Sequence, residues 1–105
     1  MIVYDRKLPP RSIEVNSSNV YHRGAALIVS MQITEYGSKG DAIVYDGVNE
    51  NGTRKACLRE VQNKSFSPVI CGGIECMTGI YIKVNDDNTY LRVEYYPGNE
   101  VEQPA

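Results

Sequence analysis

The chain has 105 residues, 42% of them hydrophobic, and its eleven Lys and Arg against thirteen Asp and Glu give a net charge of -2. That length supports one hydrophobic core and not two, because a domain of this size buries roughly two-thirds of the surface its unfolded chain exposes. Basic residues occur singly or in pairs, so no cluster neutralises a run of phosphates, which argues against nucleic-acid binding.

In chain order, Met1-Ile2-Val3-Tyr4-Asp5 holds only a short apolar run before an acid, which does not read as a secretory signal. No window approaches the ~18 apolar residues of a membrane span. Residues 1–11 contain Leu8 and then Pro9-Pro10; proline lacks a backbone donor, so this stretch reads as an extended arm rather than a central strand. Ser12–Val15 reads as a short strand, and Asn16-Ser17-Ser18-Asn19 as a turn. Ala25–Thr34 alternates with period two, placing Leu27, Val29, Met31 and Ile33 on the core face and Ile28, Ser30, Gln32 and Thr34 on the other. Tyr36 to Gly40 breaks the pattern. Ala42–Tyr45 is a further strand ended by Asp46-Gly47, and the polar loop that follows has Gly52 available for a positive φ.

Lys55–Val61 alternates again, with Ala56 and Leu58 sharing one side and Cys57, Arg59 and Val61 the other. Phe66–Cys71 is extended but carries Pro68, which suits an edge or a bulge. After Gly72-Gly73, Ile74–Met77 leads into Gly79–Val84, where Ile80, Ile82 and Val84 alternate with Tyr81 and Lys83. Asn85 to Asn88 forms a turn. Tyr90–Tyr96 closes the domain with Leu91, Val93 and Tyr95 inward, and Tyr90, Arg92, Glu94 and Tyr96 outward. Residues 97–105 form a polar, acidic tail. No segment is helical in period. About seven to eight short strands at this spacing predict an all-β fold, a single antiparallel β-sandwich of jelly-roll or immunoglobulin-like type over residues 12–96.

Catalytic chemistry finds few candidates. His22 is the single histidine and reads as a loop residue without converging partners. Cys57, Cys71 and Cys76 are odd in number, which rules out a full disulfide framework within one chain. They read as reduced, packed thiols, with a Cys71–Cys76 bridge across the glycine turn as a minor alternative. A zinc site on the three cysteines would need His22 as a distant fourth ligand and lacks the usual close pairs. Asp86-Asp87-Asn88 reads as a turn rather than a calcium loop. The sequons at Asn16, Asn51 and Asn63 read as turns too. The expectation is a protein without enzymatic activity, metal or cofactor. Eight tyrosines and no tryptophan suit sheet surfaces and contact faces, and Tyr81, Tyr90 and Tyr96 are expected to point outward as a stripe.

The order of motifs is similar to that of the small β-sandwich structural proteins of tailed-bacteriophage virions. The resemblance rests on Gly24-Ala-Ala-Leu-Ile-Val-Ser-Met-Gln-Ile33, Asp41-Ala-Ile-Val-Tyr-Asp-Gly47, Asn51-Gly-Thr53, Ser65-Phe-Ser-Pro68, Cys71-Gly-Gly-Ile74, Thr78-Gly-Ile-Tyr-Ile-Lys-Val84 and Leu91-Arg-Val-Glu-Tyr95. It spans residues 24 to 96, and the three cysteines are atypical of the pattern. It implies a capsid decoration (cement) protein, or a minor head or tail protein. Such a protein binds the major capsid protein or other virion proteins, contacts no nucleic acid or membrane, and assembles as a dimer or trimer. Its place would be the capsid surface after synthesis in the host cytoplasm. The arm residues Ile2, Val3, Tyr4 and Leu8, with Tyr81, Tyr90 and Tyr96, are then the expected partner contacts. The alternative function is a carbohydrate- or receptor-binding sandwich on a tail or head fibre.

Overall fold

The computed structural model describes residues 2–35, 40–60, 65–66, 72–85 and 89–100. The fold is all-β, with no helix among the described residues and every strand pair antiparallel. The strands are β1 (Ile2–Tyr4), β2 (Arg11–Val15), β3 (Asn19–Arg23), β4 (Ala26–Glu35), β5 (Gly40–Asp46), β6 (Thr53–Glu60), β7 (Ser65–Phe66), β8 (Ile74–Cys76), β9 (Gly79–Val84) and β10 (Thr89–Glu100). Among the described residues that is ten segments against the seven or eight expected. The additional ones are short, and the sequence carries too few alternations in them to announce a strand.

Two sheets pack face to face in a sandwich-like arrangement. In the first, β10 pairs with β4, while β1 and β2 line consecutive stretches of β10, and β7 and β8 line consecutive stretches of β4. The second runs β3-β9-β5-β6. Between them lies one core of Val15, Ile28, Met31, Ile33, Leu91, Val93 and Tyr95 from the first sheet and Ala42, Val44, Leu58, Ile80 and Ile82 from the second. β9 and β10 supply it at the positions their alternation predicts, while β5 contributes Ala42 and Val44 and β6 contributes Leu58 from the side it shares with Ala56.

Strand β4 departs from its expected phase. Ser30 pairs with Glu94 but Ile28 pairs with Tyr95, so Val29 is an extra residue opposite a single step of β10. Such a bulge moves the side chains beyond it to the other face. Ile28 is therefore fully buried and Val29 only half-buried, the reverse of strict alternation from Met31.

The extended arm and the polar tail are in part paired strands. Ile2, Val3 and Tyr4 pair with Glu100, Asn99 and Gly98, so the start of the arm and residues 97–100 of the tail form one ladder. β10 passes through Pro97 because a strand tolerates proline where no ladder donor is needed. His22 is likewise a strand residue of β3, not a loop one. The expected turns at 36–39 and 86–88, together with Pro68 and Cys71, lie outside the described residues.

Candidate interaction surface

Arm residues gather where β1 meets the end of β10. Ile2 and Tyr4 are half-buried and Val3 is 38% exposed, alternating as an edge strand does. Tyr4 donates its hydroxyl to Glu75 Oε2 on β8 at 2.8 Å. Partial burial first, and the Glu75 carboxylate second, push the Tyr4 phenol up to about 12.

Between β1 and β2 the chain makes a loop over residues 5–10. Asp5 turns it by accepting the Lys7 backbone N–H at 3.0 Å. Within it Leu8 is 62% exposed, the most exposed large apolar side chain described. Leu8 and Pro9 face Tyr96 and Pro97 across a cleft of about 120 Å³, with Asp5 and Arg11 at its rim. That volume is well below the ~300 Å³ at which small-molecule sites begin, and suits the anchoring of one side chain. The Arg6 guanidinium carbon lies 6.0 Å from the Tyr96 ring centre, at the limit of cation–π contact.

The three outward tyrosines do not form one stripe. Tyr90 and Tyr96 both point away from the core along β10, but they stand six positions apart, a distance of roughly 20 Å in a strand. Tyr90 is 45% exposed. Between the two tyrosines stand Arg92 and Glu94, and Arg92 Nε donates to Ser12 Oγ at 3.3 Å. Tyr81 belongs to the second sheet, half-buried with its ring centre 6.0 Å from that of the buried Tyr45. The structure thus brings together Ile2, Val3, Tyr4, Leu8 and Tyr96, and leaves Tyr81 and Tyr90 apart from them. Sequence reasoning missed Arg6, Pro97 and Gly98 at this end; the only signal was that the outward alternation of β10 runs on to Pro97.

Elsewhere, the ionisable groups hold the fold. Asp46, at the end of β5, accepts backbone N–H groups from Met77, Thr78 and Gly79 at 3.0, 2.8 and 3.3 Å. Partial burial raises its carboxyl, but the three amides, helped by Lys55, outweigh that and leave it below the usual carboxylate range. Gly47 N–H bonds Gly79 O at 3.1 Å, and a Cβ on Gly52 would lie 2.4 Å from Asp46 O. The Asp41–Gly47 motif is therefore a knot tying the ends of β5, β6 and β9.

His22 Nε2 lies 3.1 Å from Ala25 O, and since a carbonyl only accepts, this nitrogen carries the proton. Its ring packs 5.0 Å from that of Tyr95. Burial pushes the Cys76 thiol up to about 11, the Asp46 charge adding to it, so it packs as a neutral side chain. Lys83 and Glu50 form an exposed ion pair at 2.8 Å. Among the described residues no group of three metal-ligating side chains converges. Compared with protein-family models, curated proteins and solved structures, the chain matches none of them.

Proposed function

We propose that this chain is a non-enzymatic structural component of a tailed-bacteriophage virion, a decoration or cement protein that binds the major capsid protein and stabilises the shell. The finer reading of the fold, a jelly-roll or immunoglobulin-like sandwich, belongs to the same proposal. The motif order over residues 24 to 96 supports it, and so does the exposed end built from Val3, Leu8 and Tyr96. The observation that carries the binding role is Leu8: 62% exposed, beside a small cleft that it lines with Tyr96. A few desolvated side chains, tyrosine prominent among them, carry most of the energy of a protein interface, and many copies on a symmetric shell multiply a modest affinity.

The test is co-sedimentation of the purified chain with capsids that lack it, followed by mass spectrometry. The expected result is uptake in capsomer-scale amounts, with Leu8→Glu weakening it by at least about tenfold, as loss of an interface anchor does. Absence of uptake at saturating concentration, or uptake unchanged in Leu8→Glu, overturns the proposal. Retention on a glycan array in place of capsids would point to the carbohydrate-binding alternative.

A further inference from the structure

We propose that β1 is an exchangeable strand: two copies of this chain swap their N-terminal residues, each seating Ile2–Tyr4 on the β10 end of the other. This goes beyond the virion reading and does not depend on it, since the partner is a second copy of the same chain.

The first observation is that β1 has a built socket. A Cβ on Gly98 would lie 2.8 Å from Ile2 Cγ2, 2.8 Å from Ala25 Cβ and 3.1 Å from Tyr4 Cε1, so the missing side chain is what lets β1 sit against β10. Glu75 receives the Tyr4 hydroxyl, and the Gly98–Glu100 backbone pairs with residues 2–4. The socket is made wholly of residues after position 24. Any copy of β1 fits it equally well, because every contact it makes is available to another chain's Ile2–Tyr4.

The second observation is slack in the connection. Tyr4 pairs with Gly98 and Arg11 with Tyr95, so the two strands are three steps apart along β10, or roughly 10 Å. The chain covers that gap with residues 5–10, whose seven Cα steps from Tyr4 to Arg11 reach roughly 23 Å when extended. The surplus is bowed outward by the Asp5 turn, which leaves Leu8 at 62% exposure. Pro9-Pro10 holds the second half of this loop extended, and the residue before a proline is pushed toward extended backbone as well. Straightening the loop costs one Asx turn and carries β1 roughly 13 Å farther, onto a neighbouring copy. Exchange of an identical element keeps all of its contacts, which makes it a low-cost route to a dimer.

Third, leaving the parent chain costs the core nothing, because no described residue before Ile13 packs against it.

The experiment uses full-length chains carrying Cys57→Ser and Cys71→Ser. One also carries Val3→Cys and the other Asn99→Cys, the paired positions of the two strands. The chains are mixed at high concentration, oxidised, and read by mass on non-reducing gels. Exchange predicts a disulfide between the two introduced thiols, joining one chain to the other. It should be at least about tenfold more abundant than in a control where Val48→Cys, an exposed position, replaces Val3→Cys; a docked strand raises the effective concentration of its thiol by at least that factor. Adding Gly98→Val to the Asn99→Cys chain fills the socket and removes the bond. Inter-chain bonding at the control level, or bonding undiminished by Gly98→Val, overturns the proposal whether or not the protein binds capsids.

Discussion

Asp46 shows how one carboxylate can tie together three elements of a β protein. Its two oxygens receive three amides of the 77–79 turn, and charged acceptors make stronger hydrogen bonds than neutral ones. Because its folded-state carboxyl titrates below the unfolded value of about 3.9, the group adds stability above that pH, and the contribution fades as pH falls through the lower folded value. Asp46→Asn keeps the shape, loses the charge and turns an amide donor toward one of the three N–H groups. At pH 7 it should cost on the order of 1–3 kcal/mol, and the gap in Tm between the two proteins should narrow as pH drops from about 5 toward 3. A gap that stays constant over that range would mean the charge contributes nothing.

Thr89, the first residue of β10, makes the opposite case. It is fully buried, and its hydroxyl has no hydrogen-bond partner among the described residues. A buried hydroxyl left unpaired carries a desolvation penalty of about 1–3 kcal/mol. Thr89→Val keeps the branched shape and deletes that group, so thermal unfolding should shift upward by roughly 4 °C or more in Tm. A fall in Tm would show that the hydroxyl has a partner in solution.

At the scale of elements, legibility followed periodicity. β9 and β10 were readable because Ile80 and Ile82, and Leu91, Val93 and Tyr95, alternate without interruption against polar or aromatic outward residues. β5 and β6 were readable up to the irregularity between Val44 and Tyr45, where Lys55 is the extra residue. β4 was read as a strand but with its first half out of phase, since a bulge at Val29 leaves no mark in composition: every neighbour from Ala25 to Val29 is apolar. β3 escaped notice because Tyr21 is an extra residue between Val20 and His22, which breaks the alternation of a five-residue strand. Of the candidate surface, the residue types were legible and their grouping was not. Nothing in the order of residues says that Tyr4 meets Glu75, which follows 71 positions later, or that Tyr81 and Tyr96 stand on different sheets.

For the whole molecule, the N-terminal segment divides into a part that closes the core and a part that does not. Val15 is fully buried and Ile13 packs against the core, while β2 covers the β10 edge from Leu91 to Tyr95. Residues 1–10 add three ladder positions, the Tyr4–Glu75 hydrogen bond and the half-buried Ile2, all outside the shared interior. Two truncations should therefore behave differently. A chain starting at Arg11 should unfold in a single cooperative transition, with Tm lower by roughly 5–15 °C, the effect of losing about 1–2 kcal/mol of peripheral contacts in a domain of this size. A chain starting at Asn16 exposes the Leu91–Tyr95 edge and opens the space left by Val15 and Ile13. Since each lost aliphatic side chain costs about 2–5 kcal/mol against a total of only ~5–15, that chain should be unfolded or aggregated at 37 °C. Circular dichroism with thermal melts of the two truncations separates the cases, and equal stability would mean that β1 and its loop belong to the core after all.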